Sequence, residues 1–171
     1  LLFGDIYLKI NQPQKAEEFY EKSFMTTNER IESLTFIGFA EVKLRQGQID
    51  KAIDFAERSI AINSDFVRPR IILAIAKTRI GDKEKALNIL NELHSEQKDN
   101  VDVALAIAGY HSSFDDNDQA ITILEDFLKT DPTNIKAMDE LANLYWLTGN
   151  KSKALEYKFK VYKHYEFSRN N

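Results

Sequence analysis

The residues that could do chemistry are few and scattered in this sequence of 171 residues. Three histidines, His94, His111 and His164, lack neighbouring carboxylates or histidines at the helical spacing that would complete a metal site with three ligands. An acidic run at 115–118 resembles a calcium loop, but it lacks the glycine and the closing glutamate that such a loop needs. The sequence therefore predicts no metal and no cofactor.

Signatures of catalysis and of nucleic-acid binding are also missing from the sequence. It contains no glycine-rich phosphate loop and no nucleophile elbow. There is no cysteine, which excludes disulfides and cysteine-ligated zinc. The formal net charge of -4 provides no basic field for a phosphate backbone to follow. We therefore expect a protein that is not an enzyme and that does not bind nucleic acid.

Hydropathy argues against membrane insertion. No apolar run approaches the ~20 residues that a transmembrane helix needs, and the first residues lack the basic segment and cleavage site of a secretory signal. With 43% hydrophobic and 29% charged residues, a chain of this length can bury a continuous core. The compartment stays undetermined, with the cytoplasm slightly favoured.

The secondary-structure elements follow from a residue type that recurs at a nearly fixed interval along the chain. Alanine recurs at spacings of 36, 34, 34 and 34 residues, at Ala16, Ala52, Ala86, Ala120 and Ala154. Five residues before each alanine stands a residue that tolerates a left-handed backbone, namely Asn11, Gly47, Gly81, Asp115 or Gly149. Apolar side chains recur around each alanine at the offsets of three, four and seven that are typical of a helix. The pattern predicts five copies of a helix pair joined by a tight turn.

The predicted path is therefore ten helices. Their approximate spans are 1–10, 13–27, 33–46, 48–62, 67–80, 82–97, 101–114, 116–130, 135–148 and 150–166. The longer first interval predicts two extra residues in the loop around 25–32. No glycine-rich or serine-rich linker divides the chain, which favours one domain over residues 1–171.

This pattern of residue types and spacings resembles that of the tetratricopeptide repeat family. The family pattern places large residues, a turn glycine and an alanine at fixed offsets in 34 residues. The last repeat matches best, through Leu141, Tyr145, Gly149 and Ala154. The sequence departs from the family pattern where polar residues replace aromatic or apolar ones, at Lys43, Lys77, His111 and Lys158.

The resemblance implies an all-α fold, a right-handed superhelical α-solenoid of antiparallel helix pairs. The repeats would cover approximately residues 1–32, 33–66, 67–100, 101–134 and 135–168. Projected back from Gly4, the first helix should begin before Leu1, so we expect the chain to be a piece of a longer array.

The resemblance also implies a binding surface, because the first helices of stacked pairs line a concave groove. Carried over position by position, the family's ligand-binding positions predict a partner-binding groove made of Ile37, Glu41, Arg45, Arg68, Ile71, Ile72, Ile75, Arg79, Leu105, Asp139 and Asn143. We expect an exposed apolar floor at its centre, a ladder of basic residues along the first three repeats, and acidic residues at the other end.

The predicted ligand is a protein segment. An apolar floor beside a basic ladder suits a peptide or amphipathic helix that carries apolar anchors and an acidic stretch. Solvated charges and contacts in the core are the alternative interpretation of the same residues. The clamp that co-chaperone tetratricopeptide domains use for a C-terminal carboxylate is disfavoured, because repeat two has Ile37 and Glu41 where that clamp needs lysine and asparagine.

Two other functions stay open at this point. The chain could be a structural module that assembles with copies of itself through a terminal repeat, since the last helix is rich in aromatic residues, namely Tyr157, Phe159, Tyr162, Tyr165 and Phe167. It could also be the recruiting arm of a larger enzyme or sensor protein.

Overall fold

The computed structural model describes residues 1–24 and 28–169 of the chain. Within these residues every regular element is an α-helix, and there are ten of them. The helices are α1 (Leu2–Lys9), α2 (Pro13–Ser23), α3 (Glu29–Arg45), α4 (Ile49–Ile62), α5 (Val67–Arg79), α6 (Lys83–Glu96), α7 (Val101–Ser112), α8 (Asn117–Thr130), α9 (Ile135–Leu147) and α10 (Lys151–Arg169). Each predicted helix overlaps one of these, which confirms the all-α prediction.

The same tight turn joins the two helices of each pair. One residue in each turn has a positive φ angle: 57° at Asn11, 73° at Gly47, 78° at Gly81, 62° at Asp115 and 83° at Gly149. This left-handed conformation lets the chain reverse direction at once, and it favours glycine, asparagine and aspartate. These are the five residues that the sequence predicted for the turns, so the prediction is confirmed.

The periodic alanines lie in the second helix of each pair. All five are buried, with an exposed fraction of 0% at Ala16, Ala52, Ala86 and Ala120 and of 2% at Ala154. Because a methyl group is small, the backbones of neighbouring helices can approach closely at these points. The alanine interval therefore marks the places where helices pack.

The connection between the first two pairs differs from the prediction. The helix α2 ends at Ser23, and α3 begins at Glu29, four residues earlier than predicted. Asn28 explains the early start, because its side-chain oxygen accepts the backbone N–H groups of the second and third residues after it, at 3.0 and 3.2 Å. The predicted extra loop residues fall partly on residues 25–27, which lie outside the described residues.

The helices form two compact units, residues 1–89 and 90–171. In unit 1 the core includes a cluster around Leu8, Ala16, Tyr20, Phe39 and Val42, and another around Ile37, Ala40, Leu44, Ile72 and Ala76. In unit 2 the core includes a cluster that joins helices α7 to α10 and contains Ala104, Leu124, Phe127, Leu141, Leu144 and Tyr145. The organisation of residues 1–171 as one domain stays a prediction.

Candidate functional site

A concave pocket of about 560 Å³ opens in unit 1 between α1, α3 and the start of α5. We call it the unit 1 pocket. It collects four of the predicted groove residues, which are Ile37, Glu41, Arg45 and Arg68. Apolar side chains form much of its remaining wall, and these are Leu1, Leu8, Leu34, Phe66 and Val67.

A compact group of charges stands at one side of the unit 1 pocket. The Glu41 carboxylate accepts a hydrogen bond from Arg45 Nη2 at 2.9 Å, one turn further along α3. On its other oxygen it accepts Arg68 Nη2 at 2.5 Å and Arg68 Nε at 3.2 Å. The carboxylate is largely buried, so two guanidinium groups compensate for the loss of its hydration. The charged side of the pocket therefore carries a net positive charge.

The base of the unit 1 pocket is supported by the fully buried ring of Tyr20. A Cβ atom placed on Gly4 or on Gly38 would lie 2.5 Å from this ring, so the two glycines hold it between α1 and α3. The Tyr20 hydroxyl donates a hydrogen bond to Asp5 Oδ1 at 2.6 Å. Burial, and then the bond to Asp5, raise the pKa of Tyr20 far above its ordinary value, so the hydroxyl stays a donor.

Tyr20 is a site residue that the sequence did not single out. By its position four residues after Ala16, it belongs to the apolar side chains that recur around each periodic alanine. The available signal was the presence of Gly4 and Gly38 inside two helices, because a glycine in a helix interior lowers helix stability unless another group needs the space. A large buried side chain facing both glycines is the group that uses that space here.

The predicted basic ladder has an internal role. Arg45 Nη1 donates to the backbone oxygen of Leu8 near the end of α1, and Arg79 Nη1 donates to the oxygen of Leu44 near the end of α3, the latter at 2.7 Å. Leu8 and Leu44 occupy the same position of successive repeats, so each arginine donates to a carbonyl near the end of the preceding first helix, which also accepts a backbone N–H group of the following turn. This contact between repeats explains the regular spacing of the two arginines without a ligand.

The expectation of an exposed apolar floor is wrong on α5. Ile71 and Ile72 are buried, and Ile72 belongs to the core cluster that joins α3, α4 and α5. Ile75 is half-buried against the same cluster. Ile37 is also buried, although it reaches the wall of the unit 1 pocket. Helix positions that a family pattern assigns to a groove become core positions here because the neighbouring helices cover them.

The other three predicted groove residues lie in unit 2. Leu105 packs against the core of that unit. Asp139 accepts a hydrogen bond from Lys158 Nζ at 2.6 Å, so the expected acidic end is paired with a lysine of the following helix. Asn143 is exposed, and its side chain donates to Glu140 Oε2 at 3.3 Å.

A second pocket of about 560 Å³ lies in unit 2, between α9 and α10. We call it the terminal slot, and it is lined by Ala142, Asn143, Trp146, Leu147, Ala154, Leu155 and Lys158. Trp146, Leu147 and Leu155 are large apolar side chains with exposed fractions of 58%, 66% and 63%. The sequence drew attention to the aromatic side chains of α10 but not to this slot, which only the packing of α9 on α10 creates.

Polar departures from the family pattern bind local partners. Lys43, which replaces an aromatic residue, is buried and donates to Glu17 Oε1 at 2.5 Å. Burial raises the pKa of Glu17, but the hydrogen bonds from Lys43 and Gln46 have the opposite effect, and the net result is a pKa below the ordinary value. His111 Nδ1 lies 2.9 Å from Asp116 Oδ2 and is half-buried. These residues therefore act within the fold.

Two searches of the described residues bear on other kinds of site. Within residues 1–24 and 28–169, no three histidine, aspartate or glutamate side chains are grouped so that they could hold a metal ion. Among the helices of that same part of the chain, none is both long enough and apolar enough to cross a membrane.

The repeat geometry agrees with what family models find in the sequence. Two models described as tetratricopeptide repeat match the chain, one over residues 43–109 and one over residues 1–26. Together with the ten helices and five left-handed turns, these matches show that the chain belongs to the tetratricopeptide repeat family. Proteins of this family are in general non-catalytic modules for protein–protein interaction.

Solved structures share the fold at low sequence identity. A thermophilic tetratricopeptide protein of Thermus thermophilus has a TM-score of 0.79 and 17% identity, with 95% of this chain and 88% of that chain covered. A kinesin light chain of Podosopora anserina with nearly identical TPR-like repeats, described as putative, has TM-scores of 0.65 and 0.61 in two structures, both with 17% identity and with 99% of this chain and 94% of that chain covered. The protein MamA has a TM-score of 0.60 and 18% identity, covering 98% and 97%. No curated protein sequence matches the chain significantly.

Proposed function

We propose that the chain is a non-catalytic scaffold that binds a segment of a partner protein in the unit 1 pocket. The observation that carries this proposal is the pocket itself, a concave space of about 560 Å³ with apolar walls and one charged side. Ligand sites in proteins are commonly built this way, since apolar walls supply the binding energy and a few polar groups fix the orientation.

The chemistry of the walls defines the segment that fits. Leu34, Phe66 and Val67 offer an apolar surface for a leucine-sized or phenylalanine-sized anchor. Arg68 is more than half exposed, and Lys9 of α1 is exposed on the same pocket. An aspartate or glutamate beside the anchor would therefore meet positive charge. The proposed ligand is a peptide or amphipathic helix with an apolar anchor next to an acidic residue.

Selection from a random peptide library on the immobilised chain tests this proposal. We expect enriched peptides to combine an apolar anchor with an adjacent acid. Leu34→Glu should raise the dissociation constant of such a peptide by about 30-fold or more, because the anchor loses its apolar contact. Arg68→Glu should mainly slow association, and its effect should shrink as salt is added.

The matched control is Ile80→Glu, which introduces the same charge at another exposed apolar residue of unit 1 that does not line the pocket. The affinity of Ile80→Glu for the enriched peptides should equal that of the wild type. Enriched peptides that bind all four proteins equally well would rule out the unit 1 pocket as the binding surface. Circular dichroism of each variant shows that the comparison is made between folded proteins.

Association of the chain with copies of itself is a second candidate function. The observation that favours it is the exposure of large apolar side chains on both the first and the last helix, including Phe3 and Ile6 on α1 and Phe159 and Tyr162 on α10. Apolar surfaces of this kind commonly mark protein interfaces. Association with a Kd near 1 mM corresponds to a free energy of only about -4.1 kcal/mol. A weight-average mass that stays that of the monomer up to about 1 mM would therefore argue against even such weak self-association.

A further inference from the structure

The start of α5 departs from the pattern of the two first helices that follow it along the chain. Residues 34 positions apart occupy equivalent places in successive repeats, so Phe66, Asn100 and Asn134 stand at the same position. Each of them is the N-cap residue of the helix that follows it, which is α5, α7 or α9. Repeat three therefore begins with a phenylalanine where the next two repeats begin with an asparagine.

The asparagines at this position stabilise their helices. The side-chain oxygen of Asn100 accepts the backbone N–H groups of the second and third residues after it, at 3.0 and 3.4 Å. The side-chain oxygen of Asn134 accepts the N–H group of the third residue after it, at 3.1 Å. Phe66 has no acceptor in its side chain and makes no such bond, and apolar residues are poor N-caps. Another role must therefore account for the phenylalanine.

Packing in the core accounts for only part of the Phe66 surface. Phe66 is half-buried and packs against the core cluster that includes Ile37, Leu44 and Ile72. It also lines the unit 1 pocket and a second cavity, of about 350 Å³, which we call the neighbouring cavity. The neighbouring cavity is lined by Glu29, Arg30, Ile62, Asn63 and Phe66. Because Phe66 belongs to both linings, it forms part of the boundary between the two cavities.

The two cavities open along the same face of α3. Arg30, Leu34, Ile37 and Glu41 follow one another at intervals of four, three and four residues, which keeps side chains on one face of a helix. Arg30 lines the neighbouring cavity, and the other three residues line the unit 1 pocket. A ligand side chain that enters the unit 1 pocket along α3 would therefore meet the ring of Phe66 before it could reach the neighbouring cavity.

We propose that Phe66 determines the size of the apolar anchor that the unit 1 pocket accepts. This inference rests on the proposed function and names the residue that sets its specificity. In the wild type the ring closes the pocket towards the neighbouring cavity, so a side chain the size of leucine or phenylalanine fills the space. Without the ring the two cavities would join, and a larger anchor such as tryptophan would fit. Functional sites commonly depart from local structural preferences in this way, as Phe66 does at the N-cap.

The same turn of α5 carries the positive charge that the acid of the ligand meets. Arg68 follows Phe66 by two residues, and its Nη2 and Nε donate to Glu41 of α3 at 2.5 and 3.2 Å. Truncation of the Phe66 ring leaves both of these charged residues unchanged. The preference of the pocket for an acid should therefore persist when its preference for an anchor changes.

Two labelled peptides test the proposal by fluorescence anisotropy. Both have the acidic sequence enriched on the wild-type chain, and they differ only at the anchor, which is leucine in one and tryptophan in the other. The wild type should bind the leucine peptide about 10-fold more tightly or better, because the tryptophan does not fit the closed pocket. Phe66→Ala should bind the tryptophan peptide at least as tightly as the leucine peptide. Replacing the acid by its amide should weaken binding by the same factor in both proteins.

A second variant at the same position separates binding from stability. Phe66→Asn removes the ring as Phe66→Ala does, so it should shift the anchor preference in the same direction. It also introduces the cap residue of repeats four and five, so its melting temperature should lie about 2–4 °C above that of Phe66→Ala. Equal melting temperatures of the two variants would contradict the inference that this position lacks a cap.

The control variant Ile80→Ala should bind both peptides like the wild type, because Ile80 is exposed but lies outside both linings. Circular dichroism checks folding, and Phe66→Leu replaces Phe66→Ala if that variant is unfolded, with a smaller shift in the same direction. An unchanged anchor preference in Phe66→Ala, with binding still weakened by Leu34→Glu, would overturn this inference and leave the proposed function standing. Binding that Leu34→Glu does not weaken would remove the proposed function itself.

Discussion

The unit 1 pocket and the terminal slot have the same volume, about 560 Å³, and opposite chemistry. In the unit 1 pocket the charged residues Glu41, Arg45 and Arg68 bind one another, and a buried tyrosine supports the base. The terminal slot exposes Trp146 and Leu155 with little polar surface around them. In the first surface the polar groups are already paired within the fold, whereas the second exposes large apolar side chains to water.

The largest expected effect concerns the base of the unit 1 pocket. Gly38→Ala places a Cβ atom 2.5 Å from the Tyr20 ring, and Gly4 holds the ring from the other side. Overpacking of this kind should lower the free energy of unfolding by about 3 kcal/mol. Thermal and urea unfolding of the variant measure this loss.

Gly109 provides the matched control, because a Cβ atom added to this helical glycine would meet nothing within 4 Å. Gly109→Ala should raise the free energy of unfolding by about 0.5–1 kcal/mol, since alanine favours the helix. Equal effects of the two substitutions would mean that Tyr20 is not held between the glycines.

The ion pair between Glu17 and Lys43 should give a smaller and pH-dependent effect. Glu17→Gln should lower the free energy of unfolding by about 1–2 kcal/mol at neutral pH, through the loss of charge-assisted hydrogen bonds to Lys43 and Gln46. The pKa of Glu17 lies below its ordinary value of 4.5 in the fold, so its stabilising contribution is complete above that value and is lost as the pH falls through the lower folded pKa.

Urea unfolding of the wild type and of Glu17→Gln between pH 7 and pH 3 measures this dependence. The difference between the two proteins should be constant above about pH 5 and should shrink towards zero in acid. A difference that stays constant over the whole range would assign the effect to packing and not to the charge.

The arginine contact between repeats should contribute less. Arg79→Gln removes the donor to the Leu44 carbonyl, a single hydrogen bond of 2.7 Å, and should lower the free energy of unfolding by about 1 kcal/mol. Arg79→Lys keeps a positive charge and should recover part of the loss. A melting temperature of Arg79→Gln equal to that of the wild type would instead favour the interpretation of the basic ladder as a ligand-binding surface.

The smallest effect is expected in the terminal slot. Leu155→Ser should change the free energy of unfolding by less than about 0.5 kcal/mol at concentrations where the chain is monomeric, because Leu155 is 63% exposed. The buried Leu8, in the wall of the unit 1 pocket, is the contrasting position, and Leu8→Ala should lower the free energy of unfolding by about 2 kcal/mol. A large loss of stability in Leu155→Ser would mean that the terminal slot is part of the core and not an exposed surface.

The periodic features of this protein could be predicted from the sequence alone. Ala52 and Ala120 had to be small, and Gly47 and Gly149 had to allow a left-handed turn, because each repeat has the same local geometry and only a few residue types satisfy it. Local propensity and a fixed interval were therefore enough to predict the family, the ten helices and all five turns.

Which side chains face solvent and which bind one another depends on how the helices pack, and the sequence did not predict it. Ile72 is buried because it packs in one cluster with residues of α3 and α4, and Arg79 binds the Leu44 carbonyl, 35 positions earlier in the chain. Tyr20 reaches Asp5 only because two glycines on different helices leave room for its ring. Such contacts depend on how whole helices pack, and the order of residues along one helix does not contain that information.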